Sequence, residues 1–364
     1  MSIIFLFMAE LLKHSINQKF LDQLADALEK DVATFNRKKF EAHVSQKILN
    51  SLELKGRWGV VAIALFESLP KNYPESLKEL QKIAPQFSGL PAFCFPTFVE
   101  LFAPSDHLYL EDSLFALGLF TQFSTAEFAI RHLYKINPKK VLEQMINWST
   151  HSNFHLRRLS SEGLRPRLPW GIKIPDFIQD PQINFQILEK LKNDPELYVR
   201  KSVANHLNDI GKDHPELLIE TCKRWWGISP HTNWIIKHAL RNMLKTQNSE
   251  ALKIVGIKNI SIKAKLKLHK KKIKLYNPLN YSVDIKIAKK SLIRIDIILY
   301  FIRQTFGEGK KVFKIYEKET SKDLTLIKKL SLKKMTTRKY FKGKHRLELV
   351  VNGKIYDEQT FVVF

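Results

Sequence analysis

The chain has 364 residues, 44% of them hydrophobic and 26% charged, enough apolar content for a core in each of two domains. Its formal charge is +24 and unevenly placed: residues 251–364 hold 29 Lys and Arg against 9 Asp and Glu, and residues 1–250 hold 31 against 27. Two distant cysteines, Cys94 and Cys222, and no apolar run of membrane-spanning length exclude a disulfide scaffold and a membrane protein, and favour a reducing, cytoplasmic compartment.

So one-sided a field points to a polyanionic partner, nucleic acid before anionic membrane, with lysine enrichment through genome composition as the alternative. The opening Met1 to Met8 is apolar but has no basic lead, and it runs straight into the charged Ala9-Glu10-Leu11-Leu12-Lys13. That pattern argues against a signal peptide and makes Met8 an alternative start.

From Ala9 to about Gln86 the spacing is helical, with apolar residues at Leu21, Leu24 and Leu28 and again at Val60, Ile63, Ala64 and Leu65. Pro70, Pro74 and Pro85 mark loops. The stretch Phe87 to Pro104, rich in Pro, Phe and Gly, reads as a crossing between helical layers with its aromatics in the core.

An internal repeat follows. Asn137-Pro138, Asp180-Pro181 and His214-Pro215 each open an amphipathic helix, and Pro138, Leu142, Glu143 and Trp148 recur in step as Pro215, Ile219, Glu220 and Trp225. A second helix opens each time with an aromatic, Phe154, Tyr198 or Trp234, and carries a basic residue three later, Arg157, Lys201 or Lys237. Periods of 44 and 36 residues between those aromatics suit two-helix solenoid repeats of the HEAT kind. Such a solenoid lines its concave side with the second helices, so Arg157, Arg158, Arg165, Arg167, Lys201, Lys237, His238, Arg241 and Lys245 are expected along one groove suited to a phosphate backbone or an acidic protein.

Within the repeat, the stretch His151 to Trp170 joins a basic helix, a carboxylate and an aromatic on a stiff loop. Phe154, Leu159 and Leu164 form its apolar stripe, while Arg158 and Glu162, four apart, share another face and can pair. Gly163 and Pro166 end the helix, and Pro169 stiffens the approach to Trp170. The plain structural alternative is a repeat helix with a solvated ion pair and a core tryptophan.

After Gly256 the texture becomes β. Ser261 to Leu268 alternates apolar and basic residues, Ile285, Ile287, Leu292 to Phe301 and Val312 to Tyr316 are rich in strand formers, and Val351-Asn352-Gly353-Lys354 signals a two-residue hairpin. The expected architecture is therefore mostly α: a HEAT-like helical repeat solenoid over residues 1–256, followed by a smaller all-β immunoglobulin-like sandwich over 257–364.

Common enzyme signatures are missing. Gly307-Glu308-Gly309-Lys310 is too short for a phosphate loop, there is no nucleophile elbow or HExxH, and His151 and His155 have no evident third ligand, so neither metal nor cofactor is expected. What remains is a set of carboxylates in a basic surface: Glu127, Glu162 and Asp209. On the helix from Tyr198, Ser202, Asn205 and Asp209 share one face, away from Val199, Val203 and Ile210. A carboxylate in a phosphate-binding groove is costly unless it meets a cation, and the usual cation is an intramolecular partner. A cation on damaged DNA is an alkylated base, whose departure leaves an oxocarbenium-like sugar that carboxylates stabilise and a tryptophan face can meet.

At these residues the sequence resembles the AlkC branch of the HEAT-like-repeat DNA glycosylases, relatives of AlkD. Met8-Ala9-Glu10-Leu11-Leu12-Lys13, the run Arg158 to Trp170 and the run Tyr198 to Asp209 carry the resemblance, the second most specifically. Lys311-Val312-Phe313-Lys314, Met335 to Tyr340 and Val350 to Gly353 resemble the immunoglobulin-like domain that some members append. The resemblance implies excision of 3-methyladenine and 3-methylcytosine from duplex DNA by a monomer, with no lyase step and without full base flipping. It implies Glu162 and Asp209 as the main carboxylates, Glu127 as a supporting one, Trp170 as an aromatic wall and Arg158 as the group that orients Glu162. The rivals are a non-catalytic nucleic-acid-binding repeat protein, a protein-interaction scaffold, and an AlkD-type preference for bulky or 7-methylated lesions.

Overall fold

The computed structural model describes residues 12–105, 107–303, 307–334 and 339–364. The apolar opening with its two candidate start methionines, and residues 335–338 of the β signature, lie outside them. The chain divides into two compact units that part between Ala239 and Leu240.

The first unit is helical. Helix α1 (Gln18–Asp31) buries Leu21, Leu24 and Leu28 as their spacing requires, and α2 (Arg37–His43), α3 (Gln46–Asn50), α4 (Leu54–Ser68) and α5 (Tyr73–Ile83) follow. The expected crossing segment is largely helix: a 3₁₀ turn at Pro91–Phe93 runs into α6 (Cys94–Phe102). Pro96 is tolerated there because it sits in the first turn, where the helix needs no amide donor. Its aromatics are core as expected, with Phe95 and Phe98 buried and Phe93 stacked on Trp58 at 4.3 Å.

Helices α7 (Leu110–Phe120) and α8 (Glu127–Ile136) lead into the repeats. Pro138 and Pro215 open α9 (Pro138–Trp148) and α14 (Pro215–Trp225) at the position proline favours. Pro181 does not act alike: after the short α11 (Pro175–Gln179), the Asp180 carboxylate accepts the Gln182 amide at 3.0 Å, a 3₁₀ turn intervenes, and α12 (Phe185–Leu191) starts later. The second helices are α10 (Phe154–Glu162), α13 (Leu197–Asp213) and α15 (Pro230–Ala239), with α13 packed against both others. Trp234 therefore lies one turn inside α15, not at its start.

Two contacts fix α13. A Cβ at Gly211 would stand 2.3 Å from Leu218 Cδ2 and 3.2 Å from its Cβ, so the glycine sets the approach of α14. His206, fully buried, places Nδ1 2.9 Å from the Ser161 carbonyl on α10. Burial and the nearby Arg165 hold its imidazole down at about 3.

The second unit opens with α16 (Arg241–Lys245) and α17 (Ser249–Ile254), which fall with the sandwich in one compact unit. Arg241 and Lys245, expected along the helical groove, belong to this unit. Strands β1 (Ile262–Leu268), β3 (Leu279–Ile287) and β6 (Leu324–Leu330) form an antiparallel sheet in the order β1-β3-β6. Facing it, β2 (Lys272–Ile273), β8 (Lys354–Val363), β7 (Gly343–Val351), β4 (Ser291–Ile302) and β5 (Glu308–Thr320) form a second sheet in that order, with only β2 and β8 parallel. Leu279, Tyr281, Val283 and Ile285 of β3 alternate into the core, and the exposed Lys263, Lys265 and Lys267 charge the β1 edge. The hairpin forms at Asn352 and Gly353, both with positive φ (49° and 84°) as a type I′ turn demands. β4 is buried on both faces: beyond the core side, Arg294 and Asp296 pair at 2.7 and 3.0 Å, and Gln247 between α16 and α17 donates to Asp296 at 3.1 Å.

Gly211→Ala is expected to lower unfolding stability by about 1–3 kcal/mol through overpacking against Leu218, read as a lower urea midpoint at constant slope. His206 stays neutral in the fold down to about 3, whereas in the unfolded chain it takes a proton near the ordinary imidazole value of 6.5. Between those values the unfolded state binds more protons, so stability falls as pH falls. The slope of melting temperature against pH across that window should be shallower in His206→Gln than in wild type; an identical slope would show that His206 does not govern it.

Candidate active site

Helices α8, α10 and α13, with the loop after α10, bring Glu127, Arg158, Glu162, Arg165 and Asp209 into one chain of ion pairs. Arg158 Nη1 lies 2.5 Å from Glu127 Oε2, and its Nη2 lies 3.5 Å from Glu162 Oε1, the pair that the four-residue spacing allows. Arg165 donates to Glu162 Oε1 at 2.7 Å and, through Nε and Nη2, to Asp209 Oδ2 at 2.8 and 2.7 Å. Lys212, one turn beyond Asp209, holds Oδ1 at 2.7 Å. Thr125 accepts from Arg158 at 2.6 Å and donates to Glu127 at 2.8 Å, closing the near end. Glu127 occupies the first turn of α8, where the helix dipole favours a negative charge.

The chain is thus three carboxylates alternating with three cations, and it is deeply placed: Glu162 is 6% and Asp209 1% exposed. Burial pushes the Glu162 carboxyl up, but the Arg158 and Arg165 guanidinia outweigh it and hold it below its ordinary value. The same carboxylates hold Arg158 and Arg165 above theirs against burial. A buried carboxylate held below its ordinary value and fixed between two guanidinia is a preformed negative pole.

Trp170 stands apart from this chain as an exposed ring, 57% accessible, on backbone at φ 65°. That region is costly for a bulky residue and is held only where its surroundings dictate it. Lys55 of α4 donates to the Trp170 carbonyl at 2.9 Å, and Gly171 N–H donates to Leu168 O at 3.2 Å. Behind the loop Arg131 of α8, fully buried, donates to the carbonyls of Ile172, Gly163 and Arg165 at 2.6, 2.9 and 2.7 Å. Burial and the neighbouring Arg165 lower its guanidinium to about 10.

The basic residues expected along the groove divide three ways. Arg165 lies inside, 6% exposed, because it bridges two carboxylates on different helices. Arg157 and Arg167 are already paired, with Asp194 at 2.6 Å and with Asp213 at 2.7 Å through two bonds. Lys201 and Lys237 are exposed on α13 and α15, as is Lys245 on α16, and Arg241 is half-buried. Asp209, expected to face the groove openly, is covered by Arg165 and Lys212.

Sequence reasoning passed over Arg131, Thr125, Lys55 and Lys212. Lys212 was within reach as a cation three residues after Asp209, and Arg131 as a lone guanidinium between Ile130 and Leu133 of an apolar stripe. Lys55 meets Trp170 across 115 residues and leaves no local trace. An open groove of about 770 Å³ lies elsewhere, between α7 and α9, and none of the ion-chain residues lines it. Among the described residues no cluster of His, Cys, Asp and Glu is placed to hold a metal, and no helix is long and apolar enough to cross a membrane.

Residues 121–255 match the family described as DNA alkylation repair enzyme, and residues 263–364 match the C-terminal Ig-like domain of the uncharacterised protein YhaZ. The chain is 40% identical over 361 residues to the uncharacterised protein YhaZ of Bacillus subtilis, covering 97% of this chain and 99% of that protein. It is similar throughout to the Pseudomonas fluorescens alkylpurine DNA glycosylase AlkC bound to DNA containing an abasic site analog, at a TM-score of 0.90 and 34% identity over 97% of this chain and 99% of that one. The chain belongs to the DNA alkylation repair enzyme family, in the form that carries a C-terminal Ig-like domain.

Proposed function

We propose that the protein is a DNA glycosylase that excises cationic alkylated bases, chiefly 3-methyladenine and 3-methylcytosine, from duplex DNA and leaves an abasic site without a lyase step. The observation that carries this reading is the pair Glu162 and Asp209, both buried and clamped by one guanidinium. Likeness to AlkC, which is described with DNA containing an abasic site analog, supports it.

Alkylation of a ring nitrogen makes the base positive, so the bond from C1′ to the base nitrogen breaks with its electron pair going to the base, which leaves neutral. The positive charge passes to the sugar, and water closes the reaction by bonding to C1′ and losing a proton. Glu162 and Asp209 meet that migrating charge with a fixed negative field that needs no reorganisation, and one of the two positions the attacking water. Arg158 orients Glu162, with Glu127 and Thr125 bracing its other side. Trp170 presents an aromatic wall to the cationic base, which need not leave the stack fully. Lys201, Lys237, Arg241 and Lys245 supply phosphate contacts, with Arg157 and Arg167 available if DNA displaces their carboxylates. The protein acts as a cytoplasmic monomer without metal or cofactor.

The test is release of free base from methylated duplex DNA, resolving 3-methyladenine, 3-methylcytosine and 7-methylguanine. The 3-methyl bases should appear, Glu162→Gln and Asp209→Asn should each slow release by about 10²–10³, and Trp170→Ala by roughly two- to thirtyfold. Because breaking a buried pair costs about 3–5 kcal/mol, melting is recorded alongside and rates are compared well below each midpoint. DNA binding without base release would make the protein a repeat scaffold, and predominance of 7-methylguanine would give it an AlkD-type preference.

A further inference from the structure

The repeat leaves one feature that base excision does not use, the aromatics near the start of successive second helices. An aromatic that recurs only to pack one repeat on the next becomes buried, yet Phe154 and Tyr198 are 37% and 40% exposed, and Trp234 is half-buried. Each has a cation or imidazole against it. The Arg158 guanidinium lies 5.0 Å from the Tyr198 ring centre, and His155 and Phe154 meet that ring edge-on at 6.0 and 6.4 Å. On the next helix Trp234 stacks with His238 at 5.1 Å and 9° between planes, with Arg200 at 5.9 Å.

This row starts at the ion chain, because Arg158 is paired with both Glu127 and Glu162, and it continues along α13 and α15. Lys201 and Lys237 stand three residues after Tyr198 and Trp234, on the same helical faces. A paired duplex keeps its bases stacked on one another and shows such a surface only edges and phosphates. An unpaired strand offers base faces, and aromatic rings set among cations are what binds them without regard to sequence.

We propose that Phe154 with His155, Tyr198, and Trp234 with His238 form a stacking track for an unpaired strand beside the excision site, so that this face binds single-stranded or locally melted DNA. The inference rests on reading the ion-chain face as the DNA face.

The experiment is fluorescence anisotropy with a labelled, undamaged oligothymidine of about 15 nucleotides, across roughly 50–200 mM salt, beside a duplex of equal length. Tyr198→Ala should weaken oligothymidine binding by about 5- to 150-fold while leaving the salt slope unchanged, since no charge is removed, and Tyr198→Phe should bind like wild type. Trp234→Ala, farther from the ion chain, should weaken it in the same way and carries the test if Tyr198→Ala melts early. Oligothymidine binding that is indifferent to both alanine variants, or lost equally in Tyr198→Phe, would overturn the track. Base release is assayed on separate samples: no release with ring-dependent oligothymidine binding would defeat the glycosylase reading alone, and release without such binding would defeat the track alone.

Discussion

Arg165 is the side chain on which the arrangement of the site depends. It leaves the loop after α10, reaches Glu162 on its own helix and Asp209 on α13, and so makes two carboxylates share one cation. Without it two acidic side chains would face each other across a helix interface in low dielectric with no shared cation between them. With it the Glu162 carboxyl is held below its ordinary value despite its burial. Its position is in turn set by Arg131, which grips the Arg165 carbonyl from below. One arginine fixes the backbone from which the other acts.

That arrangement carries a tension. A pair buried this deeply contributes little to stability, since desolvation offsets most of the attraction, and isosteric apolar residues would serve a fold as well. Three arginines and two lysines are nevertheless spent on three carboxylates and one loop. The left-handed backbone at Trp170 adds to the strain gathered in this region. Charge and strain that stability does not require are expected where a chain keeps groups ready for a reaction.

Much of the architecture was legible in the chain. The recurrence of Pro138 and Trp148 as Pro215 and Trp225 marks two real helices, and Asn352-Gly353 marks the hairpin, because those signals act through local backbone preference. Pro181 misled, since a side-chain turn at Asp180 overrides the proline. The candidate carboxylates were readable as charges on a polar helix face, but their burial was not: nothing local says that Arg165 will turn inward to meet a residue 44 positions away. The grip of Lys55 on Trp170 is equally silent, because it is made by tertiary packing alone.

The placement of α16 and α17 bears on how such a chain was assembled. Gln247, in the link between these two short helices, donates to Asp296 beside its pair with Arg294 on β4, and Leu252 of α17 stands against Gly353 of the hairpin. A sandwich cut free at residue 256, where composition changes, would open that pair to water and bare the apolar seat of Leu252. The helical preface thus belongs to the compact unit that holds the sandwich, although the match to the Ig-like domain begins only at residue 263. The seam visible in amino-acid usage and the seam between the two compact units are therefore different places.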